Sequence, residues 1–208
     1  MGETVYEGIT RFLQTFLEVY EKTIDDLYND KLYERIKAIK KEKLRYEDVE
    51  WLFMEENYIK PQASVKDILA IKDANPELKY IQKIVGSDYP YRDKLVLLCG
   101  YIEPFIYAQV GINCHGHLKN DIDAIVDKSH RLNVKEYRLL MIYMLIAIIF
   151  KDFLNKDYIP DKRLPHRNCI LHNGIVSYSD EEVEMAYYTL LVYIYMIYDY
   201  AIKNKEIG

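Results

Sequence analysis

No stretch of this chain alternates apolar and polar residues as a half-buried strand requires. There is no internal repeat and no low-complexity segment. A glycine-rich phosphate loop, a serine–histidine elbow and a paired-carboxylate helix motif are all missing. Cysteine is scarce: Cys99, Cys114 and Cys169 are odd in number and widely spaced, so no disulfide framework is implied. Long apolar runs are also lacking. Leu139–Phe150 is bracketed by Arg138 and Lys151, and Met185–Tyr198 is interrupted by Thr189 and followed by Asp199. Both fall short of the roughly 20 residues that span a bilayer, so both read as buried helices of a soluble core. The opening "MGETVYEG" has neither a basic nor an apolar leader region, and Tyr6 breaks the myristoylation pattern. The expectation is a cytoplasmic protein with no membrane partner. A net charge of −5 argues against a surface that grips nucleic acid everywhere, though it leaves room for a local basic patch.

What the chain does have is helical periodicity. Its 208 residues are half hydrophobic, and 21 are tyrosine, a side chain suited to cores that reach an interface. Ile9, Phe12, Leu13, Phe16, Leu17, Tyr20, Ile24 and Leu27 predict an amphipathic helix over 4–28. A charged helix follows from Leu32, and a short one is expected over 46–56. Ser64-x-x-Asp67 predicts a helix start near Val65. Asn75-Pro76 supplies a cap and a first-turn proline, with Gly86 as the stop. Residues 90–109 read as a long helix that Pro104 should kink, and 111–123 as a polar loop leading to a helix that ends near His130. Asn133-x-x-Glu136 opens an apolar helix over 134–155, and Ser179-x-x-Glu182 opens the last helix, 180–203.

The expected fold is therefore all-α. Residues 88–208 form an up-and-down helical bundle, and 1–87 form an additional amino-terminal helical region packed on it or with it as one domain.

One stretch stands apart: Leu164 to Gly174, "LPHRNCILHNG". Pro165 suits the first turn of a short helix, and Asn173-Gly174 suits a left-handed stop. Asn168 and His172, four apart, share a helix face. Arg167 and His172, five apart, lie about 140° around an α-helix. They converge only where the helix ends near Leu171 and His172 turns inward, or where a second copy faces the first. Histidine exchanges protons near neutral pH, arginine holds phosphate with a fixed fork of donors, and asparagine orients either. That set suits phosphodiester cleavage through a ribose 2′-hydroxyl: His172 handles the proton and Arg167 stabilises charge on the phosphoryl oxygens. No metal or other cofactor is required. The competing reading is a plain helix end, with the arginine paired to a nearby acid.

Arg167-Asn168-x-x-x-His172 resembles the Arg-polar-x3-His motif of the HEPN superfamily. The resemblance implies a bundle with the motif between two late helices, and a metal-independent endoribonuclease acting on single-stranded RNA as a homodimer. It further implies a role as a toxin or in abortive-infection or antiviral defence, with an antitoxin or regulatory protein as a possible partner, and a catalytic set of Arg167, Asn168 and His172. Some similar domains are instead non-catalytic dimerisation or partner-binding modules. The chain departs from the family pattern where Asn173 separates His172 from Gly174. It also departs where Ile170 and Leu171 replace the tyrosine of the toxin-type variant.

Lys162 and Arg163 add positive charge beside the motif, and His166 is a phosphate contact or an exposed loop residue. "CHGH", Cys114 to His117, offers Cys114, His115 and His117 as metal ligands. A fourth would have to come from Cys99, Asp121, His130 or His166, and the spacing matches no standard ligand pair, so a loop is the better reading. Seven basic residues between Lys31 and Arg45 read as a solvated helix face.

Overall fold

The computed structural model describes residues 45–48, 61–112, 114, 134–150 and 161–206. Helix accounts for 78% of them and no strand occurs among them, so the described chain is all-α. The expected helices over 4–28, from Leu32 and before His130 lie outside the described residues, as does most of the 111–123 loop. Of the helix expected over 46–56, only Tyr46–Asp48 is described, and it forms a 3-10 turn.

Five long helices carry the fold: α1 (Pro61–Ala70), α2 (Pro76–Val85), α3 (Tyr91–Val110), α4 (Val134–Ile149) and α5 (Asp180–Glu206). α1 begins at Pro61, earlier than the Ser64-x-x-Asp67 pattern suggests. Proline at the first helical position sacrifices no hydrogen bond, so it starts the helix a turn upstream. α2 starts as expected. Asn75 is its cap, and its Oδ1 accepts from the Leu78 N–H at 2.9 Å. Gly86 ends α2 in a right-handed conformation. α3 runs through Pro104 and ends at Gly111, whose φ of 69° is a left-handed cap that glycine adopts without a steric penalty.

α5 is the central helix. α1, α3 and α4 pack on it, and α2 packs on α3. Leu190 to Ile194, Met196 and Ile197 are buried around almost the whole circumference of α5, as a helix surrounded by others must be. Residues of all five helices share one hydrophobic core. Burying each large side chain in it is worth roughly 1.5–3 kcal/mol. Two polar side chains brace the helix ends: Gln82 Nε2 donates to the Ile68 and Ile71 carbonyls at 2.7 and 2.9 Å, and Lys94 Nζ donates to the Val85 carbonyl at 3.0 Å. No described helix is long and apolar enough to cross a membrane.

Candidate active site

The chain enters the motif through the core. Leu164 and His166 are fully buried, and Pro165 is buried between them. His166 Nδ1 lies 3.2 Å from the Ile148 carbonyl, in the last turn of α4. Carbonyls in a last helical turn lack intrahelical partners, and a carbonyl only accepts, so Nδ1 carries the proton of this bond. His166 therefore closes α4 from inside. The reading of it as an exposed loop residue or a phosphate contact gives way to this buried placement.

Pro165 stands two residues ahead of the helical turn rather than in it. Arg167–Cys169 form a single α-turn with His166 at its start. Ile170–Gly174 are wound as a π-helix, and Ile175–Ser177 as a 3-10 turn. The helical run does not stop at Asn173-Gly174; it continues into Ile175, which is right-handed. A π turn hydrogen-bonds residues five apart and rotates less per residue than an α turn. It therefore narrows the angle between Arg167 and His172 relative to a straight α-helix. Such turns occur often at functional sites.

The two side chains nevertheless go to different places. Arg167 lies back on α3. Its Nε donates to the Cys99 carbonyl at 3.2 Å and its Nη1 donates to Asn168 Oδ1 at 3.3 Å. Its Nη2 is 3.8 Å from Glu103 Oε2, and its guanidinium sits 5.4 Å from the Phe150 ring centroid. Pro104 supplies no N–H to this turn of α3, so the Gly100 carbonyl loses its ordinary helix partner. The Arg167 side chain is 18% exposed. His172 is exposed, and no hydrogen bond among the described residues joins it to Arg167. The inward turn of His172 at a helix end near Leu171 is thus not what the chain does. Arg167 and Asn168 are brought together; His172 stands on the surface of the same segment.

The flanking cations have internal partners. Arg163 Nε and Nη2 donate to the two Asp161 oxygens at 2.9 and 2.6 Å, and Nη2 pairs with Glu47 at 2.7 Å. The guanidinium also covers the Tyr46 ring at 5.1 Å. Asp161 further accepts from the Tyr46 N–H at 2.9 Å. Burial pushes the Asp161 carboxyl up, but the Arg163 side chain and the two backbone N–H groups outweigh it and hold Asp161 below its ordinary value. Lys162 Nζ donates to the Ser177 carbonyl, lies 3.9 Å from Glu182 and covers the Tyr178 ring at 5.4 Å. Lys162 and Arg163 thus tie the loop to the start of α5 and to the Tyr46 turn, and acids offset their charge.

All three cysteines are free and close to this region. Burial pushes the Cys99 thiol up to about 12, against a smaller opposite pull from Arg167. Burial, and then the Glu103 carboxylate, push Cys114 up to about 12. Cys169 is raised by burial as well. Thiols this reluctant to ionise are poor nucleophiles. Cys114 nonetheless places the start of the "CHGH" segment within the fields of Glu103 and Arg167. His115 and His117 lie outside the described residues, and among those described no group of three or more ligand side chains is arranged to hold a metal ion.

Glu103, the Cys99 carbonyl and Phe150 are the parts of this site that sequence reasoning missed. Glu103 is 64 positions from Arg167, and no spacing rule connects them. Compared with protein-family models, characterised proteins and solved structures, the chain matches none. The HEPN resemblance therefore rests on the motif and its setting.

Proposed function

We propose that this protein is a metal-independent endoribonuclease of HEPN type that cleaves single-stranded RNA and leaves a 2′,3′-cyclic phosphate. The observation that carries the reading is the motif turn itself. A half-buried, hydrogen-bonded arginine–asparagine pair on a single α-turn runs directly into a π-wound segment that carries an exposed histidine, between an apolar helix and a capped terminal helix. Arg167 and Asn168 form an anion-holding pair, with Arg167 stabilising charge on the phosphoryl oxygens. His172 moves the proton of the 2′-hydroxyl or of the leaving 5′-oxygen.

One chain presents one such histidine, exposed and not hydrogen-bonded to its arginine. The proposed enzyme is accordingly a homodimer of up-and-down helical bundles. Its two motifs share a cleft, with one His172 as base and the other as acid. A nuclease of this kind acts as a toxin or in antiviral defence, where a protein partner holds it in check.

The test is RNA cleavage in EDTA by wild type, His172→Ala and Arg167→Ala. Wild type cleaves and both variants lose activity; cleavage that survives both substitutions contradicts the assignment. A second reading is favoured by the partners of Arg167. With the Cys99 carbonyl and Glu103 on its guanidinium, the residue is also what a non-catalytic dimerisation or partner-binding module would use to fasten the motif turn to α3. That reading expects a stable dimer, no cleavage by wild type, and partner binding that His172→Ala leaves intact.

A further inference from the structure

The Arg167 guanidinium is held unevenly. Nε and Nη1 are fixed by hydrogen bonds to the Cys99 carbonyl and to Asn168, at 3.2 and 3.3 Å. Nη2 meets Glu103 Oε2 at 3.8 Å, longer than a hydrogen bond. The Glu103 side chain is 26% exposed and the Arg167 side chain 18%. Two acceptors already set the position of Arg167, so Glu103 is not needed to orient it. A carboxylate and a phosphate are both acceptors of the same planar donor fork, and like charges cannot share it cheaply.

We infer that Glu103 is an internal competitor for Arg167: it occupies the arginine edge that an RNA phosphate takes, and so sets how tightly the site holds its substrate. This rests on the reading of Arg167 as a phosphate-binding residue. Phosphate entry displaces the Glu103 carboxylate toward solvent while the Cys99 carbonyl and Asn168 keep the guanidinium in place. Glu103 thus lowers affinity for every single-stranded nucleic acid without taking part in the proton transfers.

The experiment uses the full chain and a labelled single-stranded 2′-deoxy oligonucleotide, which has no hydroxyl to be cleaved. Glu103→Gln keeps the shape and removes the charge, and it tightens binding about three- to tenfold. Glu103→Asp withdraws the carboxylate by one methylene and gives a smaller gain in the same direction. In an Arg167→Ala background the gain disappears, which separates local competition from a general change in surface charge. With RNA as substrate, Glu103→Gln lowers KM.

Binding that is unchanged or weaker in Glu103→Gln, a gain that persists without Arg167, or no binding of the oligonucleotide by either form overturns the inference. The two proposals fail separately. Tighter binding with no cleavage of RNA by any form removes the nuclease and keeps the competition. Cleavage with an unchanged KM does the reverse.

Discussion

Two helix starts lie twelve residues apart in this chain, at Arg167 and at Ser179, and they are built on opposite plans. At Ser179 everything is local. The Glu182 N–H donates to Ser179 Oγ at 3.2 Å, and the Ser179 N–H donates to Glu182 Oε2 at 2.7 Å. Two backbone donors that the first turn leaves without helical partners are satisfied within four residues. At Arg167 the partners other than the adjacent Asn168 are remote. His166 reaches α4, Arg167 reaches α3, and the turn winds as a π-helix rather than settling into a regular one. A helix start that only has to start a helix uses its neighbours. The one at Arg167 is held from outside and leaves His172 facing solvent, an arrangement suited to a site.

The contrast can be broken at either end. The largest expected effect is at the turn. His172→Ala lowers RNA cleavage about 10²–10⁴-fold and, because the side chain is exposed, leaves the melting temperature near that of wild type. Unequal melting, or equal cleavage, blurs the distinction between the two starts. Next comes the helix that Ser179 begins. Leu190 is fully buried at its centre, and Leu190→Ala costs about 2–5 kcal/mol in urea unfolding, in proportion to the cavity left.

Ser179→Ala removes one half of the reciprocal cap and costs about 1 kcal/mol with cleavage unaltered. It is the mirror image of the His172 substitution. The smallest effect concerns the loop between α4 and the motif. Asp161 titrates below its ordinary value in the folded chain. Its contribution is therefore present above the unfolded value of about 3.9 and is lost as pH falls through the lower folded value. Asp161→Asn makes stability below about pH 4 less steeply dependent on pH, measured by urea midpoints across that range.

The same contrast explains what could be read from the sequence. The Asn75-Pro76 start of α2, the long helix around Pro104 and the Ser179 capping box were legible because their signals span three or four residues and their partners sit within that span. The all-α class followed from the same periodicities. The surroundings of the motif were not legible. Burial of His166 depends on where the end of α4 leaves a carbonyl. The company of Arg167 depends on α3 folding back across the motif turn. Lys162 and Arg163 looked like available charge because Asp161, Glu182 and Glu47 acquire their meaning only in three dimensions. Even the helix start at Pro61 shows a nearby proline overriding an apparent serine–aspartate cap.

The arginine–histidine geometry was half legible. Their misfit to a straight α-helix could be calculated from a spacing of five. The π turn that narrows it, and the exposed placement of His172, could not.

The most direct test of the account is the chemistry of the cut ends. Single-stranded RNA incubated with wild-type protein in EDTA is predicted to yield fragments ending in 2′,3′-cyclic phosphate, and His172→Ala is predicted to yield none above background. Fragments with 3′-hydroxyl ends, or the same cyclic ends from His172→Ala, would contradict the assignment of Arg167, Asn168 and His172 as the site of a metal-independent ribonuclease.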